Sequence, residues 1–202
     1  MRRRRQCVPF GSGIDFWASH SGPNRALSAG KMVYDFESNL KDLKNFQQRV
    51  ILSPDQWSGF VPDPPLNWQA VRFGGINSSH IPEARGIYAF VVQFQDNTIA
   101  PTLLPQHGYI MYAGITGHDA ATRTLRDRFG DYLKDQRRPK RLSIHSMLNK
   151  WKDHLFFHYS TVADGVPLDQ LELALNDAVI PPYVTNDFSA EIRALVRVLR
   201  AN

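Results

Sequence analysis

The sequence predicts an α+β fold: a small antiparallel three-stranded sheet flanked by helices, with an N-terminal helical extension. Three observations carry this. First, Ile87, Ala89 and Val91, and again Ile110 and Tyr112, recur at period two, the signature of half-buried strands. Second, the period changes after Thr122: Leu125, Phe129 and Leu133 stand at i, i+4 and i+8, a helical stripe. Third, the alternation returns between Asp153 and Val162, where Leu155, Phe157 and Tyr159 interleave with His154, Phe156 and His158.

The elements follow in chain order. Residues 1–31 open with Met1 and four arginines, lack periodicity and are punctuated by glycine, which reads as a disordered basic tail. They lack the apolar run of a signal peptide. Met32 opens a better-patterned stretch and reads as an alternative start. Residues 32–80 form the extension, a segment suited to substrate recognition. Within it Leu40, Leu43, Phe46 and Val50 predict a helix over 37–50, and Pro54 in a first turn predicts a short second one. Trp57, Trp68 and Phe73 are expected in the core. Residues 81–202 make the main domain, in the order β-β-α-α-β-α-α. Its later helices are predicted over Ser143–Trp151, from Pro167 through Val179, and over Ser189–Leu199. The proline pair Pro181-Pro182 stops the second of these.

The 202 residues, 43% hydrophobic and 21% charged, describe an ordinary globular protein. No apolar run approaches the length of a membrane span, and no membrane association is expected. The lone Cys7 excludes a disulfide framework or a cysteine zinc site and suits a reducing, cytoplasmic setting. Net charge is +5, but residues 123–152 alone hold ten Lys and Arg against three Asp, a net of +7. Such a concentrated basic segment is the electrostatic footprint of a nucleic-acid binder. Arg123, Arg126, Arg137, Arg138, Lys140 and Arg141 are its candidate phosphate contacts.

Gly86-Ile87-Tyr88, Tyr112-Ala113-Gly114, and Arg128 followed one turn later by Tyr132 together resemble the GIY-YIG endonucleases. The resemblance extends through Glu172 to Pro181-Pro182-Tyr183, over roughly residues 80–190. Twenty-three residues separate Tyr88 from Tyr112, which predicts a long hairpin loop through Asp96-Asn97 and Pro101 to Pro105. The resemblance implies a metal-dependent phosphodiesterase acting on nucleic acid, with double-stranded DNA as its first expected partner. Tyr88, Tyr112, Arg128, Tyr132, Glu172 and Asn186 would be its catalytic residues. Glu172 would hold Mg²⁺ or Mn²⁺. A protein partner or a homo-oligomer is a further expectation. Two other readings stand beside this one: a binding module of the same fold without activity, and a nuclease subunit active only within a defence or repair complex.

The chemistry asks for these residue types. Phosphodiester hydrolysis needs an activated water, neutralisation of the phosphoryl oxygens and help for the leaving oxygen. Arg128 stays charged at any working pH and can grip a phosphate with two donors. A phenol with an ordinary pKa near 10 acts as a base only beside a cation. Arg126 and Arg123 lie roughly 200° and 140° round the helix from Arg128, so the three do not converge.

Overall fold

The computed structural model describes residues 48–93, 108–117, 123–138 and 140–201. The expectations for the tail, for most of the helix over 37–50 and for the hairpin loop from Asp96 to Pro105 lie outside the described residues. Residues Gln47–Asn202 form one compact unit.

A short helix α1 (Pro54–Gly59) leads to strand β1 (Gln69–Arg72), a 3₁₀ turn (Gly75–His80), and the hairpin strands β2 (Gly86–Gln93) and β3 (Gly108–Thr116). Helices α2 (Leu125–Arg137) and α3 (Leu142–Lys150), strand β4 (Leu155–Thr161), and helices α4 (Leu168–Val179) and α5 (Ala190–Ala201) follow. The sheet is antiparallel, with strand order β1-β4-β2-β3. It has four strands where the sequence predicts three. The added strand β1 is an edge strand whose side chains are mostly exposed, with only Val71 half-buried. It is held by backbone pairing to β4, continued by the Phe73 amide donating to the Leu155 carbonyl at 2.8 Å. The stretch from Trp68 to Phe73 reads as a strand in the sequence, and β1 lies within it; its place in the sheet is what the sequence does not show, because an edge strand carries no alternating apolar pattern.

Two helical layers cover the sheet. Tyr88, Phe90, Leu155 and Phe157 face Leu125, Phe129 and Tyr132 of α2 and Ile144, Met147 and Leu148 of α3. Ile87, Ala89, Val91 and Ala113 face Leu168 and Leu175 of α4. A bulge between Phe90 and Val91 shifts the β2–β3 register, leaving Phe90 opposite Tyr112 and Val91 opposite Ile110. Edge-to-face rings at 4.7–5.3 Å fill the first layer, among them Phe90 on Tyr132 and Phe129 on Phe157. Of the three aromatics expected in the core only Phe73 is buried; Trp57 is 50% and Trp68 37% exposed.

Helix α2 begins where its cap dictates. The Thr124 hydroxyl accepts from the Asp127 amide while the Asp127 carboxylate accepts from the Thr124 amide, a complete capping box. The Leu125 amide also donates to the Ala84 carbonyl at 2.8 Å, which ties the helix start to the loop entering β2. Helix α4 ends with Ile180 in the left-handed region at φ 44°, a conformation that β-branched residues rarely adopt. Among the described residues no helix is long and apolar enough to cross a membrane.

Candidate active site

The strands bring Tyr88 and Tyr112 to one face. Tyr88 pairs with Gly114 and Phe90 with Tyr112, so the two phenols point to the same side of the hairpin. The Tyr88 ring lies across Gly114. A Cβ there would stand 2.5 Å from the Tyr88 hydroxyl and 2.8 Å from its Cζ, so only glycine leaves room. That is a physical reason for a glycine two residues after Tyr112.

Helix α2 supplies the rest. Arg128 and Tyr132, one turn apart, share the stripe that faces the hairpin. The Arg128 Nε donates to the Tyr88 hydroxyl at 2.9 Å, and the Tyr88 and Tyr132 hydroxyls are hydrogen-bonded at 2.9 Å. Tyr112 joins them, its ring centre 6.1 Å from that of Tyr132 and 6.5 Å from that of Tyr88. The Arg128 guanidinium carbon lies 5.3 Å from the Tyr132 ring centre. Tyr88 and Tyr132 are fully buried, whereas Tyr112 and Arg128 are half-buried. Solvent therefore meets this cluster at Tyr112 and Arg128.

Burial, followed by the neighbouring phenols, pushes the ionisation of Tyr88, Tyr112 and Tyr132 well above the usual tyrosine range. Burial works against the Arg128 charge, but the oxygens of Tyr88 and Tyr132 outweigh it and hold the guanidinium above its usual range. The cluster is thus a cation surrounded by neutral hydroxyls. A linkage consequence follows. A phenol whose pKa is raised in the folded state stays protonated where the unfolded chain releases its proton. Its stabilising effect is complete below pH ~10 and is lost as pH rises above that. Denaturant melts between pH 9 and 12 should show stability falling. Tyr132→Phe should flatten that fall by up to about 1.4 kcal/mol per pH unit. An equally steep fall in the variant would refute the assignment.

The remaining arginines of the basic segment are placed differently. Arg123 pairs with Asp131. Arg126 pairs with Glu83, and its Nε donates to the Ile81 carbonyl at 2.8 Å, which anchors the entry to β2. Both have partners within the chain and point away from the cluster. Arg137, Arg138 and Lys140 are exposed on the corner between α2 and α3. Arg141 reaches back to Tyr132, with its guanidinium carbon 5.1 Å from the ring centre, and bonds Asp135 at 3.0 Å. Among the described residues Arg128 has no carboxylate partner, unlike Arg85, Arg123, Arg126 and Arg141.

Glu172 is half-buried on α4, the helix covering the Ile87–Ala89–Ala113 face of the sheet. The phenol cluster stands on the other face. Tyr112 links the two sides, since it also packs against the cluster that begins at Ile180, just beyond the end of α4. Asn186 lies exposed in the turn between α4 and α5, where its carbonyl accepts from the Phe188 amide. Sequence reasoning missed Asn176, one turn after Glu172. It is fully buried, and among the described residues neither atom of its amide has a hydrogen-bond partner. Its signal is a polar amide directly after Leu175 at a core-facing position. It also missed Asp135, whose signal is its place three residues after Tyr132 and seven after Arg128, on one helical stripe. No family model, no curated protein and no solved structure matches the chain.

Proposed function

We propose that the chain is a metal-dependent endonuclease that hydrolyses phosphodiester bonds in nucleic acid, DNA first. One observation carries the reading: Arg128 is a half-buried guanidinium, surrounded by neutral phenols, with no carboxylate partner among the described residues. A charge so placed favours an anion. The net +7 of residues 123–152 would draw a polyanion to it.

In this reading Arg128 grips the phosphoryl oxygens and neutralises the charge that grows on them. Tyr112, the phenol that solvent reaches, donates a hydrogen bond to the phosphate or orients the attacking water. Its raised ionisation makes it a donor rather than a base. Tyr88 and Tyr132 are buried beneath and act as positioning groups: Tyr88 fixes Arg128 through its Nε, and Tyr132 holds the Tyr88 hydroxyl and packs against the Tyr112 ring. The new bond joins the water oxygen to phosphorus as the bond to the leaving oxygen breaks, and the proton the water gives up passes through solvent to the leaving oxygen.

A hard cation such as Mg²⁺ needs only one or two protein oxygen ligands beside water and phosphate. Among the described residues no three of His, Cys, Asp and Glu gather as a metal group, so a cage of protein ligands does not fit. Glu172, half-buried on α4, would be the protein ligand of such a cation, which would then have to reach the Arg128 side of the sheet by way of Tyr112. When bound, the metal would supply an activated water and further neutralisation.

The test is incubation of the purified protein with supercoiled plasmid, single-stranded DNA and RNA, with Mg²⁺, with Mn²⁺ and with chelator. Nicking of DNA that chelator abolishes is the expected result. The complete burial of the Tyr88 and Tyr132 hydroxyls favours a second reading, a nucleic-acid-binding module without chemistry. Salt-dependent DNA binding with no cleavage under either metal, alone or with added partner proteins, would favour it.

A further inference from the structure

The corner between α2 and α3 is tied down more closely than an exposed basic turn requires. Asp135 is 5% exposed, and its carboxylate accepts from the Arg141 Nη2 at 3.0 Å. His145 Nδ1 is hydrogen-bonded to the Asp135 carbonyl at 2.9 Å. The Asn149 amide donates to the Gln136 carbonyl at 3.1 Å, and Gln136 returns a bond to the Leu148 carbonyl at 3.3 Å. These contacts fix the end of α2 against α3. The side chain they present is Arg141, the residue before the first turn of α3.

Arg141 lies over the Tyr132 ring as Arg128 does, at 5.1 Å against 5.3 Å. The two guanidinium carbons are therefore at most about 10 Å apart, the limit set by those two distances. Arg128 is the inner of the two, bonded to the buried Tyr88 hydroxyl. Arg141 is the outer, its side chain 38% exposed. A guanidinium carries five N–H donors in a rigid fork. Asp135 takes one, which leaves further donors on an exposed group.

We infer that Arg141 is a second phosphate-binding group of this site, taking the phosphate next to the one held by Arg128. We further infer that Asp135 is the positioning residue that orients it over the Tyr132 ring. This rests on the nuclease reading and names how the site grips its substrate beyond the scissile bond. Because Arg141 stands outside the reacting group, its contribution falls on binding rather than on the chemical step.

The plain alternative is an interhelical ion pair that only steadies the corner. Charge separates the two. Asp135→Asn removes one negative charge from a basic face. If net charge alone acts, the variant binds DNA more tightly. If Asp135 orients Arg141, the variant binds more weakly despite its extra positive charge. Fluorescence anisotropy of a labelled DNA duplex, over a salt series without divalent metal, reads this directly. Arg141→Ala should weaken binding roughly tenfold and lower the salt slope by about one. Asp135→Asn should weaken it by a similar factor. The double variant should be no weaker than Arg141→Ala alone, since the first residue acts through the second. Asp131→Asn is the control, the same charge change on the Arg123 pair, and should leave binding unchanged or tighter.

Tightening in Asp135→Asn, or additive losses in the double variant, overturns the positioning role. Should Asp135→Asn fail to fold by its thermal melt, Arg141→Lys decides. It keeps the charge but loses the fork that spans carboxylate and phosphate, and affinity should fall several-fold, roughly one lost hydrogen bond. Unchanged affinity there overturns the proposal. A wild-type protein that shows no salt-dependent DNA binding fails the nuclease reading itself. Binding that is intact but indifferent to Arg141 fails only this inference.

Discussion

Arg128→Ala is expected to lower metal-dependent DNA cleavage by at least about a hundredfold, the usual scale for losing a charge-stabilising donor. The size follows from where the charge sits. Arg128 is half-buried, so its field is less screened than that of an exposed arginine. Among the described residues no carboxylate competes with a phosphate for it. Its Nε is fixed on Tyr88, so its orientation does not have to be established during the reaction. Truncation also removes one partner of the buried Tyr88 hydroxyl, leaving that group its bond to Tyr132. Arg128→Lys keeps the charge but loses the fork and the Nε–H, so it should fall between alanine and wild type. Initial nicking rates at saturating DNA measure the effect, and anisotropy without metal shows how much of it is binding. Affinity should drop little, since several exposed cations remain on the α2–α3 corner. Wild-type nicking rates in both variants would place the chemistry elsewhere.

Glu172→Gln is expected to abolish cleavage under Mg²⁺ and Mn²⁺ while leaving DNA affinity unchanged or tighter. The substitution preserves size and hydrogen-bonding shape on α4 but removes the charge a divalent cation requires. Repulsion between carboxylate and phosphate disappears with it, hence the direction of the affinity change. The melting temperature should stay close to wild type, which separates loss of the metal from loss of the fold. Cleavage at the wild-type rate in this variant would remove Glu172 from the site and leave the phenol–arginine cluster without its proposed metal.

Much of the fold is legible in the order of the residues. Strands β2 and β3 and helix α2 lie where the change from period two to period 3.6 puts them, although β2 is buried on both faces rather than half-buried, because helices cover both sides of the sheet. Strand β1 is not legible as a member of the sheet. It adds through backbone hydrogen bonds that any sequence can make, and its side chains remain largely in water. Trp57 and Trp68 mislead for a related reason: hydrophobicity states a preference, and whether a ring finds a layer to enter depends on what else packs there.

The sequence by itself aligned Arg128 with Tyr132, since one helical turn separates them, a local consequence of backbone geometry. That Tyr88 and Tyr112 stand on one side of the hairpin was set by the strand register, a tertiary property. Only the tertiary structure decided the state of those groups. Six arginines lie between residues 123 and 141, and composition treats them alike. Folding neutralises Arg123 with Asp131 and Arg126 with Glu83, sets Arg141 between Asp135 and Tyr132, and leaves Arg128 among phenols. Partners such as Glu83 and Arg126 are far apart in the chain, so their pairing is set by how loops and helices pack, which no local pattern records. The same holds for the buried hydroxyls. Tyrosines 88 and 132 are ordinary phenols in the sequence, and the water excluded by the closing layers keeps them protonated beside an arginine.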